Sequence, residues 1–68
     1  MTLEEMGRDY LRQAEEMEPR IEEKRKDIQA HANDSNYNLA KENQNLALLE
    51  SIHYDLLVTG YKLINYYR

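Results

Sequence analysis

Cysteine is absent from the chain. No disulfide can brace the domain, and a reducing, cytoplasmic home is expected. Glycine appears twice and proline once, so little in the sequence interrupts helices. The most apolar window, residues 46–67, is broken by Glu50, His53, Asp55, Lys62 and Asn65, too often for a membrane span. The opening Met1-Thr2-Leu3-Glu4-Glu5 lacks the basic-then-apolar pattern of a secretory leader. Positive charge is in deficit: nine Lys and Arg face thirteen Asp and Glu, a net charge of −4. An acidic chain repels phosphate backbones and anionic lipid heads. Direct nucleic-acid binding is therefore disfavoured and no membrane partner is expected. There is no Gly-rich phosphate loop, no His pair at i, i+4, and neither Ser35 nor Ser51 has a positioned base. No cofactor, metal or enzymatic activity is expected.

What is present is helical. Apolar residues make up 41% and charged residues 32% of 68 positions, too apolar for disorder and too charged for a membrane protein. That length allows one small domain, residues 1–68, and such a chain hides only about 60% of its unfolded surface. Two helices are predicted, over 2–32 and 37–67, joined by the turn Asn33-Asp34-Ser35-Asn36. In the first, Leu3, Gly7, Tyr10, Ala14, Met17, Ile21, Lys24, Ile28 and His31 follow one another in alternating steps of four and three. This is a heptad seam that keeps one stripe against a partner helix. Met6 and Leu11 widen it. The opposite face is charged, and Glu4–Arg8, Glu16–Arg20 and Glu22–Lys26 are spaced for i, i+4 ion pairs, each adding about 0.2–0.5 kcal/mol. Pro19 lies inside the helix, where proline costs about 3 kcal/mol. Because the seam keeps its phase from Met17 to Ile21, one kinked helix is favoured over a break at Glu18. Asp34 or Ser35 is the expected cap of the second helix.

The second segment is apolar around a wider arc. Leu39, Leu46, Leu49, Ile52, Leu56, Leu63 and Tyr66 form its predicted seam; Leu48, Leu57, Ile64 and Tyr67 flank it, and Tyr54, Val58 and Tyr61 extend it on one side. One neighbouring helix cannot cover that arc. Folding the chain about the turn sets partners whose numbers sum to about sixty-nine. Ile21 then meets Leu46 and Leu49, and Met17 meets Ile52. Gly7 and Gly60 fall level, either letting the backbones approach, leaving a slot for Tyr10 or a second copy's tyrosine, or merely tolerated. Lys24 faces Asn43 and Asn45 with Glu42 in reach. It either builds a polar layer that fixes register or, the favoured reading, lays its stem along the seam with its ammonium in water.

The predicted fold is all-α: a two-helix antiparallel hairpin that dimerises, or assembles further, into a four-helix bundle to cover the surplus face. Leu49, Ile52, Leu56 and Leu63 are the expected bundle core, with Leu48, Leu57 and Ile64 as the surplus that a second chain covers. All six aromatics are tyrosine, a residue suited to half-wet interfaces; Tyr54, Tyr61, Tyr66 and Tyr67 are placed at the interface, with Tyr54 and Tyr61 cementing the dimer in preference to receiving another protein. His31 and His53 are read as partly buried structural residues, since a metal needs three or four converging ligands. The basic run Arg20, Lys24, Arg25 and Lys26 is neutralised in place by Glu18, Glu22, Glu23 and Asp27.

Tyr10-Leu11-Arg12-Gln13-Ala14-Glu15, the charged middle, Leu49-Glu50-Ser51-Ile52 and the closing Leu63-Ile64-Asn65-Tyr66-Tyr67 together resemble small uncharacterised helical-hairpin proteins of bacterial mobile elements and prophages. The resemblance implies a bacterial, cytoplasmic, accessory role and assigns no site residues. The expected function is a non-enzymatic protein–protein interaction module that self-associates and docks on another protein. The alternative is an acidic regulator linked to nucleic-acid-binding machinery, acting on a DNA-binding protein.

Overall fold

The computed structural model describes residues 2–66. Two helices, α1 (Leu3–Ala30) and α2 (Leu39–Ile64), pack along their length into a rod of 52 × 16 × 16 Å. The all-α hairpin expected from the two heptad stretches is what the chain forms. Thr2 caps α1, its hydroxyl oxygen accepting from the Glu5 amide at 3.1 Å. Glu4 and Glu5 in the first turn complement the positive end of the helix dipole. The helix then runs unbroken through Pro19, as the seam's constant phase requires.

The connection is longer than the four-residue turn predicted: it occupies residues 31–38. A tight helix–helix turn commonly places a left-handed glycine after the first helix. Here the segment has no glycine, and no described residue has positive φ. The chain instead unwinds gradually. His31 ends α1 with its amide on the Asp27 and Ile28 carbonyls, and its ring stacks on Tyr37 with centroids 4.9 Å apart. The Tyr37 hydroxyl donates to the Asp27 carboxylate at 3.1 Å. Neither Asp34 nor Ser35 caps α2. Asn38 does, accepting from the Lys41 amide at 3.1 Å, while Asp34 accepts from the Asn36 amide within the turn.

All nine predicted seam positions of α1 are buried or half-buried, with Gly7, Ala14 and Ile21 the most enclosed. On α2 the seam differs from expectation. The contact line runs through Leu39, Glu42, Leu46, Leu49, His53, Leu56, Gly60 and Leu63, still in steps of three and four, whereas Ile52 and Tyr66, both predicted in the seam, are exposed. The close contact between Gly7 and Gly60 fixes this phase. A methyl built on Gly7 would lie 2.6 Å from the Gly60 carbonyl oxygen. The space is filled by Leu11 and Ile64, not by a tyrosine. Further along, the Lys24 ammonium pairs with the Glu42 carboxylate across the hairpin, with 27% and 22% of the two side chains exposed. Lys24 thus makes the contact predicted with Glu42, while Asn43 and Asn45 are exposed. Both pairs have numbers adding to sixty-six or sixty-seven, slightly tighter than the predicted register.

Among the described hydrophobic residues, only Ala14 and Ile21 are buried. The chain exposes 5426 Å², while a compact folded chain of 8.2 kDa exposes about 4,500 Å². The surplus is the direct consequence of having two layers and one contact line.

Candidate functional site

The surface that is unusual for its chemistry is the outside of α2. Leu48, Ile52, Tyr54 and Tyr61, with Tyr66 just beyond its end, are the large exposed apolar side chains there, 43–66% accessible. Leu49, Leu56, Leu57, Leu63 and Ile64, the remaining predicted interface residues within the described range, are half-buried against α1. Tyr67 lies outside the described residues. Thus the predicted set divides: five side chains are presented outward and five help to hold the hairpin.

The outward residues fall on two sides. At about 100° per residue, Leu48 and Ile52 lie roughly 150° around the helix from Tyr54 and Tyr61. On the first side, Ile52 and Leu56 form a shallow groove with Met17, Gln13, Glu16 and Arg20 of α1. It continues into a second depression where Leu49 meets Arg20, Glu23, Lys24, Lys26 and Asp27. We term this the aliphatic side. Acid and base balance closely along it.

The other side is acidic. Tyr54 and Leu57 line a groove over Pro19 and Ile21, flanked by Glu15, Glu18, Glu22 and Glu50. Its one cation is Arg25, 3.3 Å from Glu50 and 3.8 Å from Glu22. Glu22 therefore forms an ion pair with Arg25, not with the Lys26 that i, i+4 spacing suggested. His53 opens into the same groove. Its Nε2 is buried without a hydrogen-bond partner, and the nearest acid, Glu18 Oε1, stands 3.7 Å away, beyond hydrogen-bond reach.

The sequence placed His53 near the seam and His31 at the end of α1, and both are half-buried there. His31 Nδ1 lies 2.9 Å from the Asp27 carbonyl oxygen. A carbonyl only accepts, so Nδ1 carries the proton in that contact. Among the described residues, no three His, Cys, Asp or Glu converge in a way that could hold a metal ion. No described helix is long and apolar enough to cross a membrane.

Two groups titrate away from their ordinary values. The Glu42 hydrogen bond raises the Lys24 ammonium above 10.5, partial burial opposes it, and the charges of Glu42 and Asp27 reinforce it. Partial burial, then the hydrogen bond to Asp27 and the charges of Asp27 and Glu42, push the Tyr37 phenol up to about 12. Tyr37 belongs to the hairpin's closure, whereas Lys24 also lines the second depression of the aliphatic side. Sequence reasoning missed the acidic groove as a unit, because Glu50 and the α1 glutamates are far apart in the chain; only the hairpin register brings them together.

No family model, no curated protein and no solved structure matches this chain.

Proposed function

We propose that the protein is a non-enzymatic protein–protein interaction module that works as a self-associating helical bundle, a homodimer built from two hairpins. One observation supports this above the rest: Leu48 and Ile52 stand in solvent on a chain whose enclosed hydrophobic residues are Ala14 and Ile21. Fully burying such side chains contributes about 1.5–3 kcal/mol each, and an isolated hairpin forgoes roughly half of it, Leu48 being 63% and Ile52 43% exposed. A second hairpin laid against α2 converts one contact line into a four-helix core. Sedimentation across a concentration series tests the reading. A dimer at micromolar concentration is expected, and a compact monomer throughout would remove it.

A second reading is favoured by the acidic groove. Four glutamates around Tyr54 and a single Arg25 suit a cationic protein surface, such as the DNA-binding face of a regulator. The chain itself is then expected to leave DNA mobility unchanged in a gel-shift series across salt. A shift that weakens steeply with salt would instead signal direct phosphate binding.

A further inference from the structure

Resting on the self-association reading, we infer that a second copy docks on the aliphatic side of α2, antiparallel about a two-fold axis at Ile52, and that the acidic side stays open. Three observations lead there. The first is area. The 5426 Å² surface exceeds that of a compact chain by about 900 Å², which is what one partner contributes to a standard interface of about 800 Å² per side. A second copy is thus an occupant of the right size.

The second is charge. A two-fold interface sets the same patch against itself. Joined through the acidic groove, two copies would face Glu15, Glu18, Glu22 and Glu50 against the same four carboxylates, with only Arg25 from each to offset them. Like charges so opposed select against the wrong pairing. On the aliphatic side Glu16 accompanies Arg20, and Lys24 is already paired with Glu42. Glu16, Glu23 and Asp27 are matched there by Arg20, Lys24 and Lys26, so this side carries no excess of one sign.

The third is position. Ile52 sits at the middle of α2, which spans Leu39–Ile64. An antiparallel pair of α2 helices crossing at Ile52 overlaps along its full length, with Ile52 on Ile52 and Leu48 of one copy level with Leu56 of the other. The phase of the hairpin seam, which expels Ile52 and keeps His53, is what makes this face available.

The test uses the full chain. Leu48→Glu with Ile52→Glu, both at exposed positions, is expected to weaken dimerisation about a hundredfold in sedimentation equilibrium, with helical circular dichroism retained. Tyr54→Glu with Tyr61→Glu is expected to leave the dimer intact. Because the chain has no cysteine, single cysteines give an independent measurement should the glutamate variant lose helicity. Ile52→Cys is expected to cross-link to itself under mild oxidation and Tyr61→Cys is not. A wild-type dimer that the tyrosine pair dissociates, or that cross-links through position 61 and not 52, overturns this face while leaving self-association standing. A wild-type monomer at all concentrations overturns both.

Discussion

A methyl group added at Gly7 would meet the Gly60 carbonyl oxygen at 2.6 Å and the Ile64 amide nitrogen at 3.0 Å. Both are backbone atoms, so the helices themselves must part. Replacing a helical glycine with alanine ordinarily gains about 1 kcal/mol; overpacking costs about 1–3 kcal/mol. At Gly7 the second effect wins, and Gly7→Ala is expected to lower stability by about 1 kcal/mol, a fall of about 4–8 °C in a thermal melt. Gly60→Ala meets the Leu11 side chain at 2.7 Å and the Gly7 carbonyl oxygen at 2.9 Å, so its loss is expected to be similar. A rise in melting temperature at Gly7 would mean the close approach is not needed. That these glycines lie level was legible from the sequence. What fills the space was not: Leu11 and Tyr10 are neighbours in the chain but about 100° apart on the helix, and only the direction of approach selects between them. Lys24 and Tyr37 give a pH signature. Each has a folded pKa above its unfolded one, so its stabilisation is complete below pH 10 and is lost as pH rises through the folded value, about 12 for Tyr37. As far as these groups are concerned, urea midpoints are expected to hold level from neutrality to pH 10 and to fall between pH 10 and 12. Tyr37→Phe is expected to flatten part of that fall.

At the scale of the helix, Pro19 is a cost with no visible return in packing. It is exposed, and the helix continues on either side of it. Proline leaves the Glu15 carbonyl without its amide partner and crowds the preceding turn. Pro19→Ala is therefore expected to raise stability by about 2–3 kcal/mol, read by urea denaturation followed through circular dichroism. No gain would mean that the groove floor over Pro19 and Ile21 draws on the proline ring. The two helices differ in how much of their phase the sequence disclosed. The α1 stripe was legible throughout because its apolar positions follow one unbroken heptad. The α2 stripe was legible at Leu39, Leu46, Leu49, Leu56 and Leu63 but not at position 52 or 53. Steps of three and four fit Ile52 and His53 equally well, and hydrophobicity alone chooses the isoleucine. The facing helix chooses otherwise: Gly60 packed on Gly7 carries position 53, one heptad earlier, into the seam. The same local ambiguity hid the length of the connection. Asn33–Asn36 has turn composition, but His31 stacking on Tyr37 and the cap at Asn38 extend it at both ends, and stacking between residues six apart has no periodic signature.

The whole molecule is a rod 16 Å thick, and its shape limits what it can do alone. A single contact line leaves α2 apolar on two sides, and the two sides differ in charge. Cohesion on one and charge recognition on the other is the division of labour that this asymmetry permits. If the folded unit is a pair of hairpins, unfolding and dissociation are one event, and its midpoint depends on concentration by mass action. For a paired unit of this size, with an unfolding enthalpy near 0.7 kcal/mol per residue, a hundredfold dilution is expected to lower the melting temperature by about 10 °C. Melts at micromolar and at hundreds of micromolar chain, followed by circular dichroism, read this directly. The Leu48→Glu and Ile52→Glu chain is expected to melt below the wild type at either concentration. A wild-type midpoint that does not move with concentration would mean each hairpin folds unaided, and the exposed aliphatic side would then be reserved for a different protein.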